Sequence, residues 1–194
     1  RSLKLLLADQ KESAIILATE LADLNEERKQ MTADGLDAAV EMIQAQALDQ
    51  QKVMVVYLKD LHESLAGIVA GRIRELYHYP VFVLTKAEDG VKGSGRSIET
   101  YSMYEELCKC QDLFTKFGGH KMAAGLSIPE EKVQEFTERI NANATLTEDD
   151  FIPKILIDVP MPLAYVNRQL VEELKVLEPF VKGNAKPVFA DKNI

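Results

Sequence analysis

An unbroken apolar run, Val53-Met54-Val55-Val56-Tyr57-Leu58, constrains the fold of this chain more than any other stretch. It has strand length, and apolar residues in succession predict a central strand covered on both faces. Leu65, Ile68, Val69, Ile73 and Leu76 then recur at helical spacing and predict a helix over 65–77 with those side chains inward. Pro80 stops it, and Val81-Phe82-Val83-Leu84 reads as the next strand. Residues 53–84 are therefore a β-α-β unit, right-handed with parallel strands, and the fold class is α/β. The same helix carries Gly67 and Gly71. Each helical glycine costs ~1 kcal/mol against alanine, so the pair implies close approach of another backbone or of a ligand.

The flanks add helices and short strands. Apolar residues recur helically from Ala14 to Ala47, which predicts one long helix, kinked or broken near 32–35, polar on one side. Such a helix either ties the chain to a preceding domain or packs on its own. Asp89-Gly90 marks a turn, and the segment from Gly93 to Ile98 reads as an edge strand. Ser102 with Glu105 has capping-box spacing. Met103, Leu107, Cys110, Phe114 and Phe117 mark one face of the helix that follows, with Gly118 as its stop. A short strand over 123–128 and a helix opened by Pro129, ending near Ala144, complete the domain. Residues 145–150 are polar and acidic and read as a linker. Beyond them come a strand over 155–159, a helix over 167–177, a turn at Gly183-Asn184 and a strand from Val188. These 44 or so residues are too few for a comfortable separate core, and read as the opening of a truncated module. The expected organisation is a linking helix over 1–50, a domain over 51–146 and a partial module over 151–194.

Charge narrows the partners. The net charge of −8 argues against a broad nucleic-acid surface, but the acid is concentrated. Residues 9–50 carry ten Asp/Glu against three Lys/Arg, whereas 51–194 carry 21 against 18. Any phosphate contact must therefore be local. No apolar run reaches the ~20 residues that span a bilayer, so no membrane partner is expected. Two cysteines without a framework suggest a reducing, cytoplasmic setting. Cys108 and Cys110, roughly 200° apart on a helix, do not chelate one metal.

Two glycine clusters carry the binding chemistry. In Lys92-Gly93-Ser94-Gly95-Arg96-Ser97 the glycines leave amides uncovered, Ser94 and Ser97 offer hydroxyls, and Arg96 offers a guanidinium fork for bidentate phosphate contact. In Phe117-Gly118-Gly119-His120-Lys121 the glycines free further amides beside His120. Arg96 and His120 are expected to converge on one anion. The plainer reading makes both clusters packing devices, Arg96 a surface ion pair and His120 a turn residue. There is no Walker sequence. Asp60 and His62 are the only close Asp–His pair, a weak metal motif, and no metal site is expected.

Taken in order, Gly67-Ile68-Val69-Ala70-Gly71-Arg72, Pro80-Val81, Gly93-Ser94-Gly95-Arg96-Ser97, Phe117-Gly118-Gly119-His120 and Ala123-Ala124-Gly125 resemble the DHHA1 domain of the RecJ single-stranded-DNA-specific 5′→3′ exonucleases. Leu24-Asn25-Glu26-Glu27-Arg28 resembles that family's linking helix. Leu177-Glu178-Pro179-Phe180 with Gly183-Asn184 and Pro187 resembles the start of its OB-type domain. Val181 departs from the family, which has glycine there. The resemblance implies a mixed, partly parallel sheet flanked by helices. It implies a part of a DNA repair and recombination exonuclease, acting on single-stranded DNA. Catalytic Mn²⁺ or Mg²⁺ would belong to a DHH domain whose motif these residues lack, so the chain alone is expected to be inactive. The resemblance assigns substrate phosphate to Ser94, Arg96, Ser97, Gly118 and Gly119, and charge stabilisation near the scissile bond to His120. Two other readings compete: a DHH-type oligonucleotide or cyclic-dinucleotide phosphodiesterase, and a non-catalytic RNA-binding appendage like that of alanyl-tRNA synthetases. Residues 151–194 favour RecJ over the first.

Overall fold

The computed structural model describes residues 1–192, which divide into two compact units, Arg1–Ile152 and a second that begins at Pro153. The first is built on five strands: β1 (Met54–Tyr57), β2 (Val81–Ala87), β3 (Gly90–Arg96), β4 (Lys116–His120) and β5 (Ala123–Ile128). Their spatial order is β1-β2-β3-β5-β4. β1 runs parallel to β2, as the β-α-β reading requires, and every other pair is antiparallel. The helices are α1 (Ser2–Leu6), α2 (Lys11–Ala45), α3 (Glu63–Tyr77), α4 (Met103–Cys108) and α5 (Val133–Asn143).

Alternation along β1 and β2 feeds two cores. Met54, Val56, Val81 and Val83 meet Ala39 and Ile43 of α2 and Val69 and Ile73 of α3. Val55, Phe82 and Leu84 turn the other way, toward Met103 and Leu107 of α4 and Phe136 and Ile140 of α5. Covering on both faces is why the two strands read as continuous apolar runs. Where β1 begins, Asn141 of α5 takes the place of a strand neighbour. Its Oδ1 accepts the Val53 N–H at 2.9 Å, and its Nδ2 donates to the Val53 carbonyl at 3.0 Å. A buried hydroxyl fixes the next connection, Thr85 Oγ1 donating to the Leu61 carbonyl.

Several expectations are corrected. α2 is unbroken: Thr32 Oγ1 donates back to the Arg28 carbonyl at 2.7 Å, and Gly35 sits buried within the helix because a Cβ there would lie 2.7 Å from Leu61 Cδ1. Only its last third packs. Gly35, Ala39 and Ile43 are its buried residues, while Ile15, Ile16, Leu24 and Met31 are exposed. α3 starts two residues early, and Ile68 and Leu76 face solvent, with Ala66 and Ala70 buried instead. β3 is not an edge strand, since β2 and β5 flank it. Ser102 precedes α4 but makes no side-chain cap, and α4 ends at Cys108. Phe117 and Gly118 therefore lie in β4, an edge strand of the sheet. Phe114 and Phe117 still pack on the core expected for them, because a strand can return side chains to the face a helix had begun to cover.

The segment expected as a linker is folded. Leu146 is buried, Thr147 and Asp150 form a capping box, and the Phe151 ring stacks on Tyr79 with centroids 3.9 Å apart. The second unit carries α6 (Arg168–Leu174) and a parallel pair, β6 (Val159–Pro160) and β7 (Phe189–Ala190). The strand expected over 155–159 is thus confined to its end. The expected turn forms: Val181 bridges Asn184, whose Nδ2 donates to the carbonyls of Leu177 at 2.8 Å and Pro179 at 3.1 Å.

Two outcomes follow. Gly95→Ala should lower stability by about 1–3 kcal/mol through overpacking, whereas Gly71→Ala, where a Cβ meets nothing within 4 Å, should raise it by up to ~1 kcal/mol; urea midpoints compare them. In limited proteolysis the first cut should fall within 153–158, not 145–151, and mass spectrometry of the early products locates it.

Candidate functional site

β3 has two unlike faces. Val91, Gly93 and Gly95 turn toward the core shared with α4 and α5. A Cβ on Gly93 would lie 2.4 Å from Leu84 Cδ2, and one on Gly95 2.6 Å from Phe82 Cε1 and 2.9 Å from Met103 Sδ. Flanked by strands on both sides, these residues commit their amides to the two ladders. The amide cradle expected at Gly93 and Gly95 is therefore absent; their glycines make room for core side chains.

The other face carries Lys92, Ser94 and Arg96, beside α3. Gly67 of α3 admits them: a Cβ there would lie 2.9 Å from Arg96 Nη2 and 3.2 Å from Ser94 Oγ. Arg96 is half-buried and its Nη1 donates to the Gly95 carbonyl at 2.8 Å. Ser97 leaves this face. It is buried, its hydroxyl donates to the Tyr101 carbonyl at 2.7 Å and its N–H to the Met122 carbonyl at 3.0 Å, so its expected phosphate contact is replaced by a structural one.

Register carries the face onward across the sheet. Arg96 pairs with Ala123 and Ala123 with His120; Ser94 pairs with Gly125 and Gly125 with Gly118; Lys92 pairs with Ser127 and Ser127 with Lys116. Directly paired residues share a face. Arg96 and His120 thus stand in one row, their backbones two strand spacings or ~10 Å apart, with only the Ala123 methyl between. The sequence separation of these two residues is spanned by the connection that carries α4, and the hairpin turning at 121–122 sets β5 between β3 and β4.

Over the two other rows lies a groove of ≈ 470 Å³, lined among others by Glu63, Ser64, Lys92, Ser94, Lys116 and Gly118. Its floor is made by small residues. A Cβ on Gly118 would meet nothing within 4 Å, and one on Gly125 only the Gly93 carbonyl oxygen at 3.7 Å. Gly119 differs: its φ of 156° and a Cβ position 2.4 Å from the Ala123 carbonyl oxygen leave room for glycine alone. The unpaired amides of edge strand β4 point outward in the plane of the sheet rather than into the groove. Gly118 therefore leaves the groove floor open, and Gly119 takes a backbone conformation that favours glycine.

Lys92 and Lys116 were missed by sequence reasoning, and so was Glu63. Lys92 Nζ meets Glu63 Oε2 at 2.6 Å. That hydrogen bond holds the Glu63 carboxyl below its usual range and the Lys92 ammonium above its own. Alternation along β3 was the available signal, since it puts Lys92 on the face of Ser94 and Arg96. His62 of the weak Asp–His pair caps α3: Ser64 N–H donates to its Nδ1 at 3.3 Å. Among the described residues no group of three or more His, Cys, Asp or Glu is placed to hold a metal ion. A guanidinium, two ammonium groups and hydroxyls suit an anion, and the groove does not fit Mn²⁺ or Mg²⁺.

Comparison with known proteins matches both parts of the chain to known domains. Residues 50–145 match the DHHA1 domain, and residues 157–194 match the RecJ OB domain. The single-stranded-DNA-specific exonuclease RecJ of Bacillus subtilis is 37% identical over 94% of this chain and 24% of its own length. That of Salmonella typhimurium is 34% identical over 95% of this chain and 34% of its own. The crystal structure of Thermus thermophilus RecJ in complex with Mn²⁺ superposes with a TM-score of 0.84 at 32% identity, over 97% of this chain and 28% of that one. The chain thus spans about a quarter to a third of the length of these relatives. Two consecutive domain matches and a shared fold at one-third identity lead to one conclusion: the chain belongs to the RecJ family.

Proposed function

We propose that this chain is the substrate-binding part of a single-stranded-DNA-specific 5′→3′ exonuclease of DNA repair and recombination, acting in the cytoplasm. The observation that carries the reading is the row Arg96-Ala123-His120 beside the row Ser94-Gly125-Gly118, an anion-binding edge above a shelf without bulky side chains. Arg96 and Ser94 hold a substrate phosphate. His120, exposed at the end of β4, stabilises phosphate charge near the scissile bond. The flat shelf admits a sugar–phosphate backbone at van der Waals distance, which a β-branched residue at 118 would prevent.

In this reading a DHH domain outside these 194 residues holds the divalent metal, which when bound supplies an activated water. The residues of the groove bind and orient the strand; none of them takes the metal's place. The exposed apolar side chains of Ile15, Ile16, Leu24 and Met31 on α2 support an intramolecular contact with that domain. Among the described residues no helix is long and apolar enough to cross a membrane. The match of 157–194 to the RecJ OB domain favours this reading over an oligonucleotide phosphodiesterase or an RNA-binding appendage of a synthetase.

Titration of a 5′-phosphorylated oligothymidylate against Arg96→Ala and His120→Ala should show each substitution costing about 1.5–3 kcal/mol of binding, the range for a charge-assisted hydrogen bond. Gly118→Val should weaken binding without lowering the urea midpoint, because its side chain enters open space. Wild-type affinity in all three variants would contradict the proposal.

A further inference from the structure

We infer that the groove holds a second phosphate seat, formed by Lys92 and Lys116, which the Glu63 carboxylate fills while no strand is bound. The inference rests on the reading of this face as the single-strand-binding surface, and it adds residues, a spacing and a competitor that the reading does not contain.

The two lysines end one row across β3, β5 and β4, with Ser127 between them, as Arg96 and His120 end another with Ala123 between. The shelf row of Ser94, Gly125 and Gly118 separates them. From Arg96 to Lys92 is four strand residues, ~13 Å. A duplex strand rises ~3.4 Å per phosphate, and an extended single strand advances about twice that. The two cationic rows are therefore about two extended nucleotides apart, and the shelf between them passes the intervening phosphate. A strand anchored by its first phosphate at Arg96 brings its third to Lys92 and Lys116.

In the free protein the second seat already contains an anion. Glu63 begins α3, lines the groove and meets Lys92 at 2.6 Å, both side chains about half exposed. A solvated ion pair of this kind is weak and exchanges readily for another anion. Lys116 is exposed and takes part in no ion pair among the described residues. The remaining charges that act on Lys92 are Glu88 and Asp89, in the turn beyond its strand end. Binding of a third phosphate thus exchanges Glu63 for DNA at Lys92 and adds Lys116. A dinucleotide leaves the pair intact.

The test uses the 194-residue chain and two probes, 5′-phosphorylated dithymidylate and trithymidylate. Wild type should bind the trinucleotide more tightly. Lys116→Ala and Lys92→Ala should each reduce trinucleotide affinity about fivefold at low salt, leaving the dinucleotide unchanged. Each should also make the salt slope for the trinucleotide shallower by about 0.7. Glu63→Gln should tighten the trinucleotide alone. Equal losses on both probes, or no loss on either, for the two lysine variants would overturn the second seat, and an unchanged Glu63→Gln would overturn its occupation by the carboxylate. Arg96→Ala separates the two proposals: it should weaken both probes alike, and if it weakens neither, the first seat and the underlying reading fail instead.

Discussion

The packing of β3 against β2 and β5 is the constraint on which the rest depends. Two glycines let Leu84, Leu126, Phe82 and Met103 occupy the space where β3 side chains would stand. The core thereby reaches the backbone of β3 on one face. On the other face the same strand keeps Lys92, Ser94 and Arg96. Alternation ties the two, so a one-residue slip would bury the cations and expose the core. Stability and binding are thus set by one register, read from opposite sides of one strand.

α3 supplies the boundary. It lies over β2 and β3, where Gly67 leaves room for Arg96 and Ser94 beneath it, while α2 lies against β1. Beyond α3, β5 and β4 stay open on that face, floored by Ala123, Gly125, Ser127 and Gly118. A groove results because the helix stops and the residues past it are small. The net charge of −8 does not oppose this use, since Lys92, Arg96 and Lys116 lie on β3 and β4 while the acid is concentrated in α2, which packs at β1. At physiological ionic strength the screening length is ≈ 8 Å, so the local cations decide.

Much of the fold was legible where apolar periodicity is strong. The parallel pair, α3 and the burial of Phe136 and Ile140 follow from spacing alone. Reading failed where glycine removed the signal. β3, with three glycines in seven residues, looks like an edge because it has few apolar side chains, yet it is central because the space they vacate is filled from neighbours. Met103, Leu107, Cys110, Phe114 and Phe117 keep helical spacing through a break at Cys108, so burial was right and the element wrong. At the site, Ser94, Arg96, Gly118 and His120 were named from the two glycine clusters, with roles assigned by resemblance, and Ser97 was named but turns inward. Lys92 was legible in the alternation along β3, whereas Lys116 and Glu63 join it across 24 and 29 positions, which a sequence without structure does not display.

The central claim is that single-stranded DNA lies on the open face of β3, β5 and β4. Amide chemical-shift mapping with 5′-phosphorylated trithymidylate tests it most directly. The account predicts the largest shifts at 92–96, 116–120 and 123–127, with smaller ones at the start of α3. Shifts centred on α4 and α5, across the sheet, would contradict it.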